Sequence, residues 1–467
     1  MTLKKGLIDD EIQLRRFINL HMKRRKNESE RNGEIFTPLF LIEEMLDELD
    51  NHYKKIKGCG ATFSIFSNEK LKWGDIVGCG RGNFSLCLYF RLMEGLKNVI
   101  IDKKERKKHI IENMLYMAEL NEESVRICKR IFDINDEYKL NLYVGDALKL
   151  NVKEIWNIDK FDVILGNPPF NRGGIYSHHK KRNGIKFETL WHLFVKKSLE
   201  NLKSYLVFIT PLYWMKKTHP IHNLMGEKSI IWMKLYDSGR TQKIMKACIP
   251  ISFYILKNEI NNNQITKVIS EINNLKIRTT SHTIFRKDCD IPLGFHSIFN
   301  KLSDFITNHN LQLEYSTLYV NDTGKHKPLP KKYSLKDNLG VSTYRIKDGI
   351  IVSKMEKEHI DTRKRKLIFS NKKKLIGMFI DDGRLGISGR NNIYILGDNL
   401  ELMLKYVKFK IFSFLSCFIK YNMELLEHAL FEYMPDIRKL GIINIEEDEF
   451  YTLIGLSEKE KKAIYEA

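Results

Sequence analysis

From about Glu34 to Lys257, short apolar runs alternate with stretches of helical periodicity. This alternation constrains the fold more than any other feature. Strands linked through helices assemble into a largely parallel sheet covered by those helices, so this part of the chain is expected to be an α/β domain. Strand candidates are Leu115–Ala118, Leu140–Val144, Phe161–Leu165, Tyr205–Ile209 and Ile251–Leu256. Between two of them, Phe187, Leu190, Trp191, Phe194, Val195 and Leu202 fall on one helical face. A basic helical arm is expected over residues 1–32 and the α/β domain over 33–265, ending near the polar segment Asn258–Asn263. Beyond it the pattern turns irregular, which suggests a mixed α+β domain over 280–467. Within that domain, Asp382-Gly383 reads as a hairpin turn, and Ser457 with Glu460 as the capping box of a terminal helix. No internal repeat is found.

The charge is lopsided. Against 58 acidic residues stand 78 Lys and Arg, a formal net charge of +20 over 467 residues. An excess of this size attracts polyanions, because basic side chains release counterions from phosphates. A solvated Lys-rich surface would give the same count. The seven cysteines are scattered without zinc-ligand spacing or a disulfide framework, which fits a reducing compartment. The N-terminus lacks the apolar core of a signal peptide, and runs such as Ile411–Ile419 are too short to span a bilayer. The expectation is a soluble, intracellular, cytoplasmic protein with no membrane partner and no metal site.

The sharpest local signal is Phe161–Phe170, FDVILGNPPF, in which an apolar strand stops at Gly166. Asn167, Pro168, Pro169 and Phe170 would then sit at the carboxyl edge of the sheet, where doubly wound folds bind ligands. The composition suits activation of an aryl amine, a poor nucleophile whose lone pair is delocalised into its ring. The Asn167 carboxamide oxygen and the Pro168 carbonyl could each accept one N–H, localising the lone pair toward a sulfonium methyl. The prolines stiffen the segment, and Phe170 offers a flat face on which an extruded base can stack. A plain strand-terminating turn would read the same.

Three further segments appear in a particular order. Gly33–Pro38 leads into a stripe of Ile42, Met45, Leu46 and Leu49, with Thr37 as N-cap and Pro38 at the first helical position. Exposed N–H groups there could hold a carboxylate, although capping alone also explains Thr-Pro. Asp75 opens a turn carrying Gly78, Gly80 and Gly82, which lets the backbone approach a nucleoside closely. Glu119 and Asp146 close the next two strand candidates. They are placed to accept from ribose hydroxyls and from an adenine amino group, where each alone could be a solvated loop residue.

Taken in this order, the segments GEIFTPLFLIEEML, ENMLYMAELNEESV, FDVILGNPPFNRGGI, LWHLFVKKSLENLKSYLVFITPLYW and IPISFYILKN resemble the gamma class of DNA adenine-N6 methyltransferases. The similarity runs to forms found in large DNA viruses and type II restriction–modification systems, and covers most of the chain from Gly33. The resemblance implies a Rossmann-like S-adenosylmethionine-dependent methyltransferase fold followed by a target-recognition domain. It implies S-adenosyl-L-methionine as donor and double-stranded DNA as substrate, engaged by a monomer. Base flipping and direct in-line transfer to the adenine N6 amino group follow, without metal or covalent intermediate. Thr37, Asp75, Gly78, Gly80, Gly82, Glu119 and Asp146 become cofactor contacts, and Asn167–Phe170 the catalytic motif. One departure stands out: the family's Asp-x-x-x-Gly-x-Gly is stretched, since Gly80 and Gly82 fall five and seven residues after Asp75.

Two basic stretches are candidates for the nucleic acid. Asn171–Lys186 holds Arg172, Lys180, Lys181 and Arg182 and reads as an exposed loop or a lid ordering on the DNA backbone. His178 and His179 in it are loop polarity. Arg363, Lys364, Arg365, Lys366 and Lys372–Lys374 form a run without an acid inside, a solvated face by default and a phosphate contact in this setting. Phe253 and Tyr254 are candidates for packing on the flipped base, or for plain core. Transfer to cytosine N4, an RNA base or a protein glutamine remains open, as does a decayed methyltransferase fold that only binds DNA. A fused nuclease is not expected, though a separate cognate endonuclease would be compatible.

Overall fold

The structure is a computed structural model describing residues 8, 36–57, 63–171, 189–261, 265–272, 274–281, 284–285, 289–370, 375–390, 392–421 and 428–466. The expected helical arm over 1–32 lies outside the described residues, apart from Ile8. The chain divides into two compact units, Met1–Cys289 and Asp290–Ala467.

In the first unit, helix α1 (Leu39–Lys57) precedes β1 (Trp73–Asp75) and α2 (Asn83–Gly95). Next come β2 (Leu115–Glu119), α3 (Glu122–Phe132), β3 (Asn141–Val144), β4 (Phe161–Gly166), α4 (Trp191–Glu200) and β5 (Leu202–Pro211). The remaining strands are β6 (Lys228–Tyr236), β7 (Ile251–Ile260), β8 (Thr266–Ile272) and β9 (Leu275–Ser281). Among the described residues these nine strands form one sheet in the order β3-β2-β1-β4-β5-β7-β6-β8-β9. Pairing is parallel from β3 to β5, and β7 runs antiparallel to both its neighbours. This is a doubly wound, Rossmann-like α/β sheet.

The periodicities explain the interior. β1, β2 and β4 are buried at every position, as strands covered on both faces must be. Helix α3 is buried along Val125, Cys128, Ile131 and Phe132, with Asn121 capping its first turn through Glu123 N and Ser124 N. The helix expected over 187–202 is observed as Trp191–Glu200, and Leu202 already opens β5.

The sheet does not end at residue 265, where the sequence places the domain boundary. β8 pairs parallel with β6, β9 pairs with β8, and the unit runs on to Cys289. A polar connection between two strands of one sheet has the same composition as an interdomain linker.

The order reverses direction between β1 and β4, whose parallel register sets Trp73 opposite Val163 and Gly74 opposite Ile164. Such a switch point leaves a crevice at the carboxyl ends of the two strands. Asp75 ends one strand and Gly166 the other. Gly166 has φ 154°, and a Cβ on it would stand 2.5 Å from Val77 Cγ2, so a larger residue would force the crevice apart.

The second unit is α+β. It holds α5 (His296–His309), a sheet of β10 (Lys327–Pro328), β11 (Leu339–Arg345), β12 (Gly349–Lys354) and β15 (Gly386–Ile387), and a sheet of β13 (Arg365–Phe369), β14 (Met378–Asp382) and β16 (Ile393–Leu396). The Asp382-Gly383 turn is not a hairpin. β14 pairs with β13 and β15 with β11, so the turn carries the chain from one sheet to the other. The terminal helix α6 (Glu458–Glu466) starts as expected, with Ser457 N and Oγ both donating to Glu460 Oε2 at 2.8 Å. Among the described residues, no helix is long and apolar enough to cross a membrane.

Candidate active site

The crevice is lined by backbone with few side chains in the way. Between β1 and α2, Gly78, Gly80 and Gly82 all adopt positive φ (96°, 57° and 82°), a sequence of turns that residues with a Cβ rarely make. Cys79 N donates to Ala118 O at 2.9 Å and Gly82 N to Cys79 O at 2.9 Å, pinning the loop to β2. Cys128 of α3 packs beneath it, its thiol 3.8 Å from that of Cys79 and 3.4 Å from the Gly80 carbonyl. The stretched spacing after Asp75 is therefore absorbed as an ordered left-handed turn.

Asp75 is 1% exposed. Its Oδ2 accepts from Ser85 Oγ at 2.7 Å, and its Oδ1 has no partner. Burial pushes this carboxyl up to about 7, against the opposing hydrogen bonds from Ser85. Holding it ionised costs on the order of 4 kcal/mol, which a cation placed in the crevice would offset.

Glu119 at the tip of β2 is also buried, and burial raises its pKa. Its Oε2 accepts from Gly80 N at 2.7 Å and its Oε1 from Asn121 N at 2.7 Å. Each oxygen keeps a second lone pair, so bracing the glycine loop and accepting from a ribose are compatible. Asp146, beyond the tip of β3, is half-buried and accepts from Leu148 N at 3.0 Å. Gly145 N donates to Glu119 O at 2.9 Å, which joins the two strand tips.

Asn167 follows Gly166 directly. Its Nδ2 donates to Thr37 Oγ1 at 3.2 Å, and Thr37 is 4% exposed just before α1. A Cβ on Gly78 would lie 3.8 Å from Pro169 Cδ, so the glycine loop and the Asn-Pro-Pro segment face each other. Phe170 is 4% exposed and its carbonyl accepts from Leu190 N at 3.0 Å. Its ring packs inside the unit, so stacking on a base requires it to be uncovered. Thr37, Asp75, the three glycines, Glu119 and Asn167 are thus gathered at one edge. Asn83, to which the sequence pattern assigns no role, joins them: its Nδ2 donates to Thr37 O at 2.9 Å and its buried Oδ1 has no partner. Its place immediately after the last loop glycine was the available signal.

Phe253 and Tyr254 are fully buried within β7 and belong to the core. Arg172, Lys180, Lys181, Arg182, His178 and His179 lie outside the described residues, as do Lys372, Lys373 and Lys374.

In the second unit the basic run is not an open cationic face. Lys366 is 0% exposed, donating to Asp381 Oδ2 at 2.7 Å and to the carbonyls of Asp361, Thr362 and Lys364. This corrects its assignment as a phosphate contact: β13 is the central strand of its sheet and is buried at every position after Arg365, so Lys366 lies inside the unit. Arg363 pairs with Glu358 at 2.8 Å, Lys364 with Asp361 at 2.7 Å, and Arg365 with Asp382 at 2.9 Å and with Glu401. Glu358 and Asp361 lie just before the run, and Asp381, Asp382 and Glu401 come from β14 and beyond. Among the described residues, no group of three or more His, Cys, Asp or Glu could hold a metal ion.

Residues 97–244 match the Eco57I restriction-modification methylase family. That span contains Glu119, Asp146 and Asn167–Phe170. An uncharacterized adenine-specific methylase of Mycoplasma pneumoniae is 25% identical over 39% of this chain and 56% of its own length. Among solved structures, the type IIL restriction-modification enzyme MmeI in complex with DNA gives a TM-score of 0.47 at 12% identity, covering 86% of this chain and 69% of that one. The M protein of the type I restriction enzyme EcoKI gives 0.35 at 14% identity, covering 50% and 48%. This chain thus spans about half the length of the Mycoplasma relative and of the EcoKI subunit.

Asp75 provides a test that needs no ligand. Its folded-state value of about 7 lies above the ordinary 3.8, so the native state holds the extra proton between those values. Stability linked to this group is complete below about pH 4 and is lost as pH rises through about 7. In thermal melts, Asp75→Asn should gain on the wild type as pH rises from about 4 to 7. Melting curves that shift in parallel would remove the buried carboxylate from this description.

Proposed function

We propose that this chain transfers the methyl group of S-adenosylmethionine to the N6 amino group of adenine in duplex DNA. The observation that carries the proposal is the Asn167 carboxamide, set at the end of β4 with its nitrogen engaged by Thr37 and with the glycine loop facing Pro169. Two buried acceptors without partners, Asp75 Oδ1 and Asn83 Oδ1, fit a donor that carries an ammonium. Glu119 and Asp146 suit its ribose and adenine. When bound, this donor supplies an electrophilic methyl on a sulfonium centre.

The chain's own part is positioning and electrostatics. Asn167 Oδ1 and Pro168 O each accept one N–H of the exocyclic amine, drawing its nitrogen toward a pyramidal shape. The lone pair then points out of the ring plane as a nucleophile. Adenine is favoured over other planar amines by the adenine-specific name of the Mycoplasma relative, and the restriction-modification methylase match over Asn167–Phe170 supports methyl transfer. Incubation of purified protein with DNA and donor labelled in the methyl group should give N6-methyladenine on nucleoside analysis. Label confined to cytosine, RNA or protein, or no transfer at all, would overturn this reading.

The grip on DNA by the second unit belongs to a different stretch from the acid-paired run. Lys325, Lys327, Lys331, Lys332 and Lys336 are exposed, and none is seen in an ion pair among the described residues. They surround β10, an edge strand of the four-stranded sheet. Each phosphate contact contributes about 0.9 to the slope of log affinity against log salt. Replacing Lys325, Lys327, Lys331 and Lys332 with Gln should therefore flatten that slope by roughly 2 to 4. Arg363→Gln with Arg365→Gln should leave it nearly unchanged, and the reverse pattern would return the phosphate surface to the 363–366 run.

A further inference from the structure

Thr37 holds two hydrogen bonds to different elements. Its carbonyl accepts from Asn83 Nδ2 at 2.9 Å, and Asn83 is the first residue of α2, directly after Gly82 of the glycine loop. Its hydroxyl oxygen accepts from Asn167 Nδ2 at 3.2 Å. Thr37 and Asn83 are 4% and 7% exposed, so neither bond competes freely with water. The chain Asn83–Thr37–Asn167 therefore connects the loop after β1 to the carboxamide after β4, through a residue that belongs to neither strand.

The connection matters because a carboxamide is ambiguous. Its terminal torsion is broad and roughly two-fold, and its two ends are nearly the same size. Only the orientation with oxygen toward the amine can accept an N–H; the flipped one sets donor against donor. A partner that accepts from Nδ2 favours the productive orientation before substrate arrives. A hydroxyl is a suitable partner, since it accepts at one lone pair while its own proton turns elsewhere.

We propose that Thr37 is a positioning residue that sets the Asn167 carboxamide with its oxygen toward the substrate amine and, through Asn83, ties that orientation to the glycine loop. The inference rests on the methyltransferase reading and adds a role for Thr37 distinct from cofactor contact. It places the device at the junction of helix α1 with the crevice, so that a shift of the loop is felt at the reacting end.

Thr37→Val preserves shape and backbone and removes the acceptor, while Thr37→Ser keeps it. Single-turnover transfer at saturating donor should fall about 10- to 100-fold in Thr37→Val and recover to within about threefold in Thr37→Ser. A Thr37→Val variant with unchanged transfer overturns the proposal. So does one that loses donor affinity while bound-state transfer stays at the wild-type rate, because Thr37 would then be a cofactor contact only.

A second measurement needs neither donor nor DNA. The Asn167 side-chain amide signal, identified by its loss in Asn167→Asp, should show slowed proton exchange in the wild type and in Thr37→Ser. Exchange at the rate of an exposed asparagine in the wild type overturns the proposal even if Thr37→Val fails to fold. Wild-type protein that methylates no DNA would instead sink the underlying activity, leaving the amide measurement to judge the hydrogen bond separately.

Discussion

Two parallel strands meet at the centre of the first unit, packed closely along their length. Gly74 of β1 faces the Phe161 ring, where a Cβ would stand 3.1 Å from Cγ, and Gly166 of β4 faces Val77. That closeness brings two loops with different chemistry into one crevice. The loop after β1 is backbone-lined, with a buried carboxylate at its root. The segment after β4 is stiffened by two prolines and carries one carboxamide. Separating the strands by a side chain would move the two halves of the site independently, so the packing of β1 on β4 is the condition for any joint action.

Buried polar groups around this crevice are satisfied in an uneven way. Glu119 gives each oxygen a backbone N–H, which opposes but does not cancel the rise that burial causes, and braces the glycine turn. Asp75 has one oxygen satisfied and one not, and burial raises its pKa further. A fully satisfied network would be more stable and would offer nothing to a ligand. The second unit follows the opposite logic: Lys366 is buried with four acceptors around it and locks β13 in place. Removing one partner of such a buried pair is destabilising, so its role is structural.

Much of the first unit was legible in the sequence, because strands buried on both faces announce themselves as apolar runs. Phe161–Gly166 and Leu115–Glu119 are the clearest cases. Asn167, Glu119, Asp146 and the glycines were legible because each stands at the end of such a run. Strands β8 and β9 were not anticipated: they sit at the sheet edge, where alternation is diluted by polar residues such as Lys267, Glu271, Lys276 and Arg278. The pairing of Arg365 and Lys366 with Asp381, Asp382 and Glu401 was equally hidden, since those acids approach only after folding, whereas Glu358 and Asp361 stand within five residues of their partners. Asn83 was only half legible: its place after the last loop glycine marks it, but its bond to Thr37 spans 46 positions.

The central claim is that one carboxamide performs the activation while a neighbouring, separable set of groups holds the donor. The most direct measurement is paired calorimetry and single-turnover transfer on Asn167→Ala. The account predicts donor binding close to that of the wild type, with methyl transfer abolished. Transfer that persists would contradict the role of Asn167, and loss of donor binding together with transfer would contradict the separation of the two halves of the site.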